Sequence, residues 1–493
     1  MTTSPDPHPP EYGTKIDLAP RPSTQASASA KSGRAQALTR AQEAKRASAM
    51  KPAQVLILGF AAIIALGTLL LKLPWSAAPG QTISWMDAFF TATSATTVTG
   101  LAVRTTAIDF SFFGQVMILL LLQVGGVGFI AFSVLLFRII GRRLTLQNRF
   151  MVRDSLGVSE SSGVLNLALY VLGITLGLEA IGAAALWLRW RTVMPDREAA
   201  WMAIFHAISS YCNAGFDLFS GTPLAEQVGP LFGFGADWWT LAVMGTLILL
   251  GGFGITVMYD LWSFREDRRL SLHTKLTLIL TATLTIVGIG IMMLDGNLYS
   301  KVLTTLRLDQ QFAVSFFTIV SARTAGLTIL PLDQLSEATQ LVILLWMFIG
   351  GAPASMAGGV STSTVVVLLV AVVATARGHD KSVAFGRTLP VETIAKAVAI
   401  MTVSTLLVTA ITMMLSLSQS GLHIFDLGFE TVSAFSNTGY SVGATGQLDT
   451  WGRLLIAFTM FWGRLGPLTI VVALAQREHP SLVTFPEEPV IIG

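Results

Sequence analysis

The chain has 493 residues, of which 52% are hydrophobic and only 12% are charged. A soluble domain carries about a quarter charged residues, so this chain lacks the polar surface that a large globule needs in water. With a mean hydropathy of +0.65, the composition excludes a large soluble protein and favours a polytopic membrane protein. A single cysteine, Cys212, excludes an intramolecular disulfide.

The N-terminal segment differs from the rest. Residues 1–51 are rich in Pro, Ser, Ala and Thr and become basic near their end. Such a composition cannot bury enough apolar surface to fold alone. It predicts a disordered cytoplasmic tail.

Long apolar segments follow in chain order. A membrane-spanning helix needs about 20 mostly apolar residues. The predicted spans are 53–74, 112–138, 164–188, 238–263, 274–295, 338–375, 392–417 and 452–474. The sixth is unusually long and is interrupted near its middle.

Four shorter apolar segments lie between these spans, at 87–97, 200–212, 312–323 and 426–436. Each is too short to cross a bilayer and is followed by a glycine among small or polar residues. Segments of this length are typical of re-entrant helices. The alternative is four amphipathic helices on the membrane surface.

Basic residues predict the orientation. The connectors after the second, fourth and sixth spans are the most basic, and eight crossings place all of them on one side. That side is the cytoplasm by the positive-inside rule, so both termini are expected there. The residues are Arg138, Arg142, Arg143, Arg149, Arg153, Arg265, Arg268, Arg269, Lys275, Arg377, Lys381, Arg387 and Lys396.

The short segments reveal an internal repeat. They align on Gly100, Gly215, Gly326 and Gly439, each with a Phe ten residues earlier and a Gly-rich pair in the next span. The predicted fold is all-α, with four tandem helix–pore loop–helix repeats, eight transmembrane helices and four re-entrant pore helices around one pore. The repeats are 52–140, 141–265, 266–378 and 379–476, followed by a cytoplasmic tail at 477–493.

The repeat suggests a cation pathway. Non-helical backbone at membrane depth is tolerated only where protein buries it or where it lines water. Four loops around one axis can point carbonyl oxygens inward and replace an ion's hydration shell. Glycine suits such loops because it adopts backbone angles that other residues avoid.

These motifs resemble the Trk/Ktr/HKT superfamily of potassium transporters, most of all its bacterial KtrB-type membrane subunits. The resemblance covers about residues 53–475 and includes GGAPASMAGG and GRLGPLT. It implies that backbone carbonyls near each glycine bind potassium. The implied filter residues are Val98, Thr99, Gly100, Asn213, Ala214, Gly215, Thr324, Ala325, Gly326, Asn437, Thr438 and Gly439. Sodium-preferring relatives can carry Ser at the first glycine, where this chain has Gly100.

The resemblance also implies the cellular setting. We expect a multi-pass protein of the bacterial inner membrane, a homodimer bound to a cytosolic KtrA-like nucleotide-binding ring, with lipids and no nucleic acid as other partners. No cofactor is expected on this chain, so ATP or ADP would act only through the ring. Sodium stimulation is a further expectation.

Residues 350–363 interrupt the sixth span with glycines, a proline and small polar residues. The resemblance implies an intramembrane gate loop below the filter, made of Gly350, Gly351, Ala352, Pro353, Ala354, Ser355, Gly358 and Gly359. The alternative is a kink that lets helices pack closely. Ser361 stands where the family usually has a basic residue.

Arg464 lies within the eighth span, where a charged side chain costs at least about 2.5–3.5 kcal/mol. We expect a gating charge beside the pathway, the alternative being a purely structural pairing with acids or carbonyls. Arg323, just before the third filter loop, could reach the outer vestibule or be solvated. His206 and Glu430, at equivalent places in the second and fourth pore helices, are expected to have packing roles.

The predicted function is potassium uptake through a channel-like transporter pore. The alternative in the same fold is a sodium-selective or sodium-coupled cation transporter. A membrane-embedded enzyme would need paired catalytic groups at depth, which the spans lack. A carrier with inverted repeats would show two oppositely oriented halves rather than four copies of one orientation.

Overall fold

The computed structural model describes residues 52–127, 164–222, 237–298, 301–353 and 355–466. The predicted tails at 1–51 and 477–493, the whole first basic connector, the ends of the second and eighth predicted spans and Ala354 lie outside these residues. Everything below concerns the described residues.

The described chain is almost entirely helical. The main helices are α1 Pro52–Lys72, α2 Trp85–Thr96, α3 Phe112–Val127, α4 Val164–Trp190, α5 Asp196–Tyr211, α6 Trp238–Asp267, α7 Leu272–Leu298, α8 Leu308–Ala322, α9 Glu337–Phe348, α10 Thr362–Ala376, α11 Val391–Ser418, α12 Ile424–Ser436 and α13 Thr450–Leu465. Short helical turns lie at Pro74–Ser76, Thr106–Asp109, Lys301–Thr304, Leu332–Gln334 and Thr445–Gln447. A two-residue hairpin pairs β1 (Val383–Ala384) antiparallel with β2 (Arg387–Thr388).

Side-chain caps fix where several helices begin. The Ser84 hydroxyl accepts a bond from the Asp87 amide, and the Asp87 carboxylate accepts one from the Ser84 amide, which together form a capping box at the start of α2. Ser361 caps α10 through its hydroxyl alone, which accepts from the Thr364 amide. Ser361 therefore marks the start of a helix.

Helices α2, α5, α8 and α12 each pack against the main helix before and the main helix after them in the chain. Helix α2 contacts α1 and α3, α5 contacts α4 and α6, α8 contacts α7 and α9, and α12 contacts α11 and α13. The same arrangement therefore recurs four times along the chain. This recurrence sets the four loops that follow α2, α5, α8 and α12 in equivalent positions.

The surface and the lengths of the helices suit a bilayer. Among the described residues, α6, α7, α11 and Tyr170–Trp190 of α4 are long and apolar enough to cross a membrane. Large apolar side chains point outward along α11, where Leu406 is 64% and Leu417 is 79% exposed. Such side chains are stable against lipid and costly against water.

Two helices are interrupted. The predicted sixth span is split into α9 and α10, with non-helical residues at 349–353 and 355–361. The predicted interruption of 350–363 is therefore too long at its end, because the Ser361 cap starts α10 at Thr362. The sequence did not predict the second break, at Gly254 inside α6, where φ is 74° and ψ is 165°.

Candidate ion-conduction site

The four aligned glycines lie together in a ring. A Cβ atom built on Gly100 would lie 2.6 Å from the Ala214 carbonyl oxygen, and one on Gly215 would lie 2.7 Å from the Ala325 oxygen. A Cβ on Gly326 would collide with the Thr438 oxygen, and one on Gly439 with the Thr99 oxygen. The loops therefore meet in chain order, first to second, third, fourth and back to first.

The backbone of these loops needs glycine. All four glycines have positive φ, between 62° and 94°, a region that L side chains rarely enter. Val98, Asn213 and Asn437, two residues before their glycines, are also left-handed, with φ of 58°, 56° and 52°. In the third loop Thr324 is not among the positive-φ residues, so this loop departs from the pattern of the others.

Buried hydroxyl groups hold the loops in place. The Gly100 amide donates to Ser94 Oγ and the Gly439 amide to Ser433 Oγ, both at 3.0 Å. In the other two loops a serine donates to the carbonyl after the glycine, from Ser209 to Phe216 at 2.6 Å and from Ser321 to Leu327 at 3.0 Å. In the third loop the residue equivalent to Ser94 is Val320, and the next residue, Ser321, supplies the hydroxyl group instead.

Two asparagines join neighbouring loops. Asn437 Nδ2 donates to Thr99 Oγ1 and to the Met460 carbonyl, each at 2.8 Å. Asn213, with its amide oriented to satisfy its neighbours, accepts from Thr324 Oγ1 at 3.2 Å and from the Gly252 amide at 3.3 Å. The fourth loop is thus bonded to the first, and the second to the third. The sequence did not predict these links.

The electrostatics of the ring favour a cation. The carbonyl oxygens of Thr99, Ala214, Ala325 and Thr438 each lie beside the glycine of a neighbouring loop. Helices α2, α5, α8 and α12 end three or four residues before these glycines, so their negative C-terminal ends lie near the ring. The ring therefore offers carbonyl oxygens and four partial negative charges without any carboxylate.

The interruption between α9 and α10 is held to α6 by two backbone hydrogen bonds. The Ala352 amide donates to the Gly252 carbonyl at 2.9 Å, and the Met356 amide to the Gly251 carbonyl at 3.1 Å. These carbonyls lie just before the break at Gly254, which removes their usual partners one turn further along α6. The two breaks are therefore complementary.

The same interruption lies directly against the ring. A Cβ on Gly358 would collide with Asn437 Oδ1, and one on Gly359 would lie 3.1 Å from Ser436 Cα. Gly350 and Gly351 are packed as tightly against the interruption itself. Small residues are therefore required here by close approach of backbones, in addition to any flexibility they give.

Arg464 reaches across three elements. Its Nη1 donates to the Met356 carbonyl and its Nη2 to the carbonyls of Gly125 and Gly126, the last at 3.1 Å. Within the described residues the guanidinium has no salt bridge with an acid. It therefore joins α13 to α3 and to the interruption through carbonyls, and it keeps its positive charge unneutralised by an acid partner.

Both expectations for Arg323 are wrong. The residue is only 6% exposed, and its Nη2 donates to the Gly350 carbonyl at 3.3 Å. It is neither solvated nor directed to the outer vestibule, since the interruption before α10 attracts it. Its Nε has no hydrogen-bond partner in the described structure.

The ring borders a cavity of about 270 Å³, whose lining includes Gly100, Arg104, Asp109, Gly215 and Asp217. Asp217 accepts from the Ser220 amide at 2.7 Å and so shapes the loop around this cavity. The ring is therefore bordered by a polar cavity.

Glu430 and His206 accept hydrogen bonds from the chain segments that follow Gly439 and Gly215, respectively. Glu430 accepts from the hydroxyls of Ser441 and Thr445, and His206 Nε2 accepts from the Leu218 amide at 3.3 Å. Both side chains are fully buried. Their contacts fit the expected packing roles and place neither side chain among the ring oxygens.

A polar cluster behind the second loop was not predicted. Glu179 of α4 is only 4% exposed; Gln123 Nε2 donates to it at 3.0 Å and Cys212 Sγ at 3.6 Å. Cys212 precedes Asn213 of the second loop, and Gly126 packs against the Cys212 sulfur. The sequence signal was a lone acidic residue inside an apolar span.

Comparison with known families matches residues 23–484 to the TrkH family, described as a cation transport protein. The chain belongs to the TrkH family. The earlier resemblance to the Trk/Ktr/HKT superfamily is therefore confirmed. Membership of a transporter family, together with the apolar helices, identifies a membrane protein of cation transport.

Similar TrkH-family proteins cover almost the whole chain. The "Ktr system potassium uptake protein B" of Bacillus subtilis is 36% identical over 90% of this chain and 97% of its own length. The "Potassium/sodium uptake protein NtpJ" of Enterococcus hirae is 33% identical over 90% and 98%. The crystal structure of the potassium transporter TrkH from Vibrio parahaemolyticus has the same fold, with a TM-score of 0.66 over 86% of this chain and 84% of that chain at 18% identity.

Proposed function

We propose that this chain carries potassium ions into a bacterial cell through the ring of four glycine-centred loops. The observation that supports this most is the cyclic contact of Gly100, Gly215, Gly326 and Gly439 with carbonyls of neighbouring loops. Carbonyl oxygens replace the hydration shell of a monovalent cation without a fixed carboxylate. The relatives named as potassium uptake proteins support the choice of ion.

In this proposal the filter consists of the twelve residues named in the sequence analysis, three from each loop, which end at Gly100, Gly215, Gly326 and Gly439. The four loops belong to the four predicted repeats, so eight spans and four re-entrant helices surround one pore. The inner membrane is the location, with both termini in the cytoplasm.

The predicted gate loop at 350–363 is the gate, and Arg464 supplies its charge. The interruption lies against the fourth filter loop at Gly358, and Arg464 is bonded to its Met356 carbonyl. A positive charge at this depth raises the energy of a passing cation, because the surroundings screen it weakly. Movement of the interruption together with Arg464 would open the path.

Regulation is assigned to partners. A relative named as a Ktr-system protein implies a system of more than one component. We assign this chain a homodimeric form on a cytosolic KtrA-like ring, through which ATP or ADP acts. No cofactor is assigned to the chain itself.

A second candidate is transport that uses or is stimulated by sodium. The relative named as a potassium/sodium uptake protein favours it. Uptake of labelled potassium in the presence of competing sodium separates the two candidates. Sodium that enters at a comparable rate would support the second.

The test is potassium uptake in a bacterium that lacks its own potassium transporters, with and without a regulatory ring protein. The parent should restore growth at limiting potassium. Gly100→Ser should lose discrimination between potassium and sodium, because a side chain at a φ of 90° collides with the second loop. Gly177→Ser is the matched control, since a Cβ there meets nothing within 4 Å. Failure of the parent, or parental selectivity in Gly100→Ser, would contradict the proposal.

A further inference from the structure

A second cavity lies away from the ring, where α10 ends and the β-hairpin begins. Its volume is about 430 Å³. Five apolar residues of α10 and β1 line it, among them Leu369, Val373 and Val383, and three basic or titratable side chains complete the wall, Arg377, His379 and Lys381. It therefore has an apolar part and a cationic part.

The cationic part is built on a defined turn. The Arg377 amide donates to the Val373 carbonyl at 3.1 Å and the His379 amide to the Ala374 carbonyl at 2.9 Å. Gly378 between them has a φ of 70°, which lets the chain reverse after α10. The hairpin is closed by the Leu389 amide, which donates to the Ser382 carbonyl at 2.8 Å.

The apolar part continues onto the outer surface of α10. Leu369, Val372 and Val373 are 51%, 63% and 47% exposed and share one face of the helix by their spacing. Val367 and Leu389, in contrast, pack in a small core with Ala397 of α11. The cavity thus opens onto helix surface that faces lipid.

We propose that this cavity binds one anionic phospholipid, with its phosphate near Arg377 and Lys381 and an acyl chain along Leu369 and Val373. Basic pockets at the cytoplasmic ends of transmembrane helices bind anionic headgroups. This proposal depends on the proposed function in one respect only, which is that the basic connectors place the cavity on the cytoplasmic side of the membrane.

The apolar wall and the charge distinguish this ligand from others. A soluble phosphate or nucleotide phosphate would use only the basic part of the wall and would leave the apolar lining at Leu369 and Val373 without a matching apolar group of the ligand. A second copy of this chain that met the same face would bring equal basic groups together. Asp380 lies between His379 and Lys381 in sequence, so the local charge is a modest excess of positive groups.

The experiment is lipid titration of the purified, delipidated full-length chain, followed by native mass spectrometry. The probes are phosphatidylglycerol and phosphatidylcholine with the same acyl chains. The variants are Arg377→Gln/Lys381→Gln and, as a matched control, Arg387→Gln/Lys396→Gln, which removes two exposed basic groups of the same region that do not line the cavity.

The parent should bind one phosphatidylglycerol more tightly than phosphatidylcholine. The cavity variant should bind it about 30-fold more weakly, from the effect of two basic groups near a lipid headgroup. The control should match the parent. Equal binding of the two lipids, an unaffected cavity variant, or an equal loss in the control would each overturn the proposal. Soluble inorganic phosphate that displaces the lipid at equal concentration would overturn it as well. Because binding is read without transport, its failure is distinct from a failure of potassium uptake.

Discussion

The Arg323 guanidinium lies 3.3 Å from the Gly350 carbonyl oxygen and so connects the third loop of the ring to the first residues of the interruption before α10. Arg464 holds the Met356 carbonyl further along the same segment. Two guanidinium groups from different predicted repeats therefore donate hydrogen bonds to the proposed gate at separate points. In both, Arg supplies several donors in a fixed plane.

Replacement of Arg323 by Gln should increase the rate of potassium uptake. Loss of one hydrogen bond from a charged donor removes about 1.5 kcal/mol from the bound position of the loop, roughly a tenfold change in its population. The preference for potassium over sodium should stay parental, because the four glycines are unchanged. Uptake rate and ion competition measure the two properties. A parental rate at parental expression would contradict a gating role.

Replacement of Arg464 by Ala should alter potassium flux without preventing membrane insertion, and we expect the flux to rise. The substitution removes a positive charge and three carbonyl contacts. Arg464→Lys keeps the charge but cannot span the same carbonyls, so its flux should lie between the parent and Arg464→Ala. Initial uptake rates, normalised to protein in the membrane, provide the comparison. Parental flux in a well-expressed Arg464→Ala protein would count against the proposed barrier.

Asn437→Gly should weaken the joint between the fourth and first loops. Glycine keeps the left-handed backbone at a φ of 52° but removes the bonds to Thr99 and Met460 and the side-chain packing against Gly358. Two lost hydrogen bonds cost about 2 kcal/mol together, and potassium should be discriminated less well from sodium.

Thr99→Val, alone and combined with Asn437→Gly, completes a double-mutant cycle for this joint. The measurements are unfolding in detergent and ion-competition uptake. The double variant should be less destabilised than the sum of the single variants. Strict additivity would indicate that the two side chains do not act together.

Asp87→Asn should destabilise the fold beside the polar cavity that borders the ring. The Asp87 side chain is 5% exposed and forms ion pairs with Arg104 at 3.0 Å and Arg453 at 2.9 Å. Because both arginines are partly exposed, we expect a loss of about 1–2 kcal/mol, between the surface and buried limits.

The matched control for this variant is Asp309→Asn. Asp309 pairs with Arg307, and their side chains are 50% and 80% exposed, so the control should change stability by less than about 0.5 kcal/mol. Thermal unfolding of the purified proteins compares them. Equal effects of the two substitutions would argue that the pairs around Asp87 contribute no more than a surface contact.

The positions of the loops could be predicted because their signal is periodic. Gly100 and its three equivalents recur at almost even spacing behind a Phe, and only glycine suits the observed backbone. The contacts that tie the loops together could not be predicted. Asn437 and Thr99 are 338 residues apart in sequence, and no local pattern encodes such a pairing.

The direction of Arg323 and the break at Gly254 were missed for a related reason. A charged side chain next to a loop looks solvated until the fold buries it, and a glycine in an apolar helix is usually tolerated without a break. Gly254 breaks α6 where the amides of Ala352 and Met356 need acceptors. This requirement for acceptors can be recognised only after the fold has brought α6 next to the interruption between α9 and α10.

The ring of loops comes from one polypeptide, and its quadrants are not chemically identical. The second and fourth carry asparagine at the left-handed position, the first carries valine, and the third lacks that conformation altogether. A channel assembled from four identical subunits changes all quadrants with every substitution. Here a single codon alters one quarter of the wall, so evolution can adjust the preference for an ion in small increments.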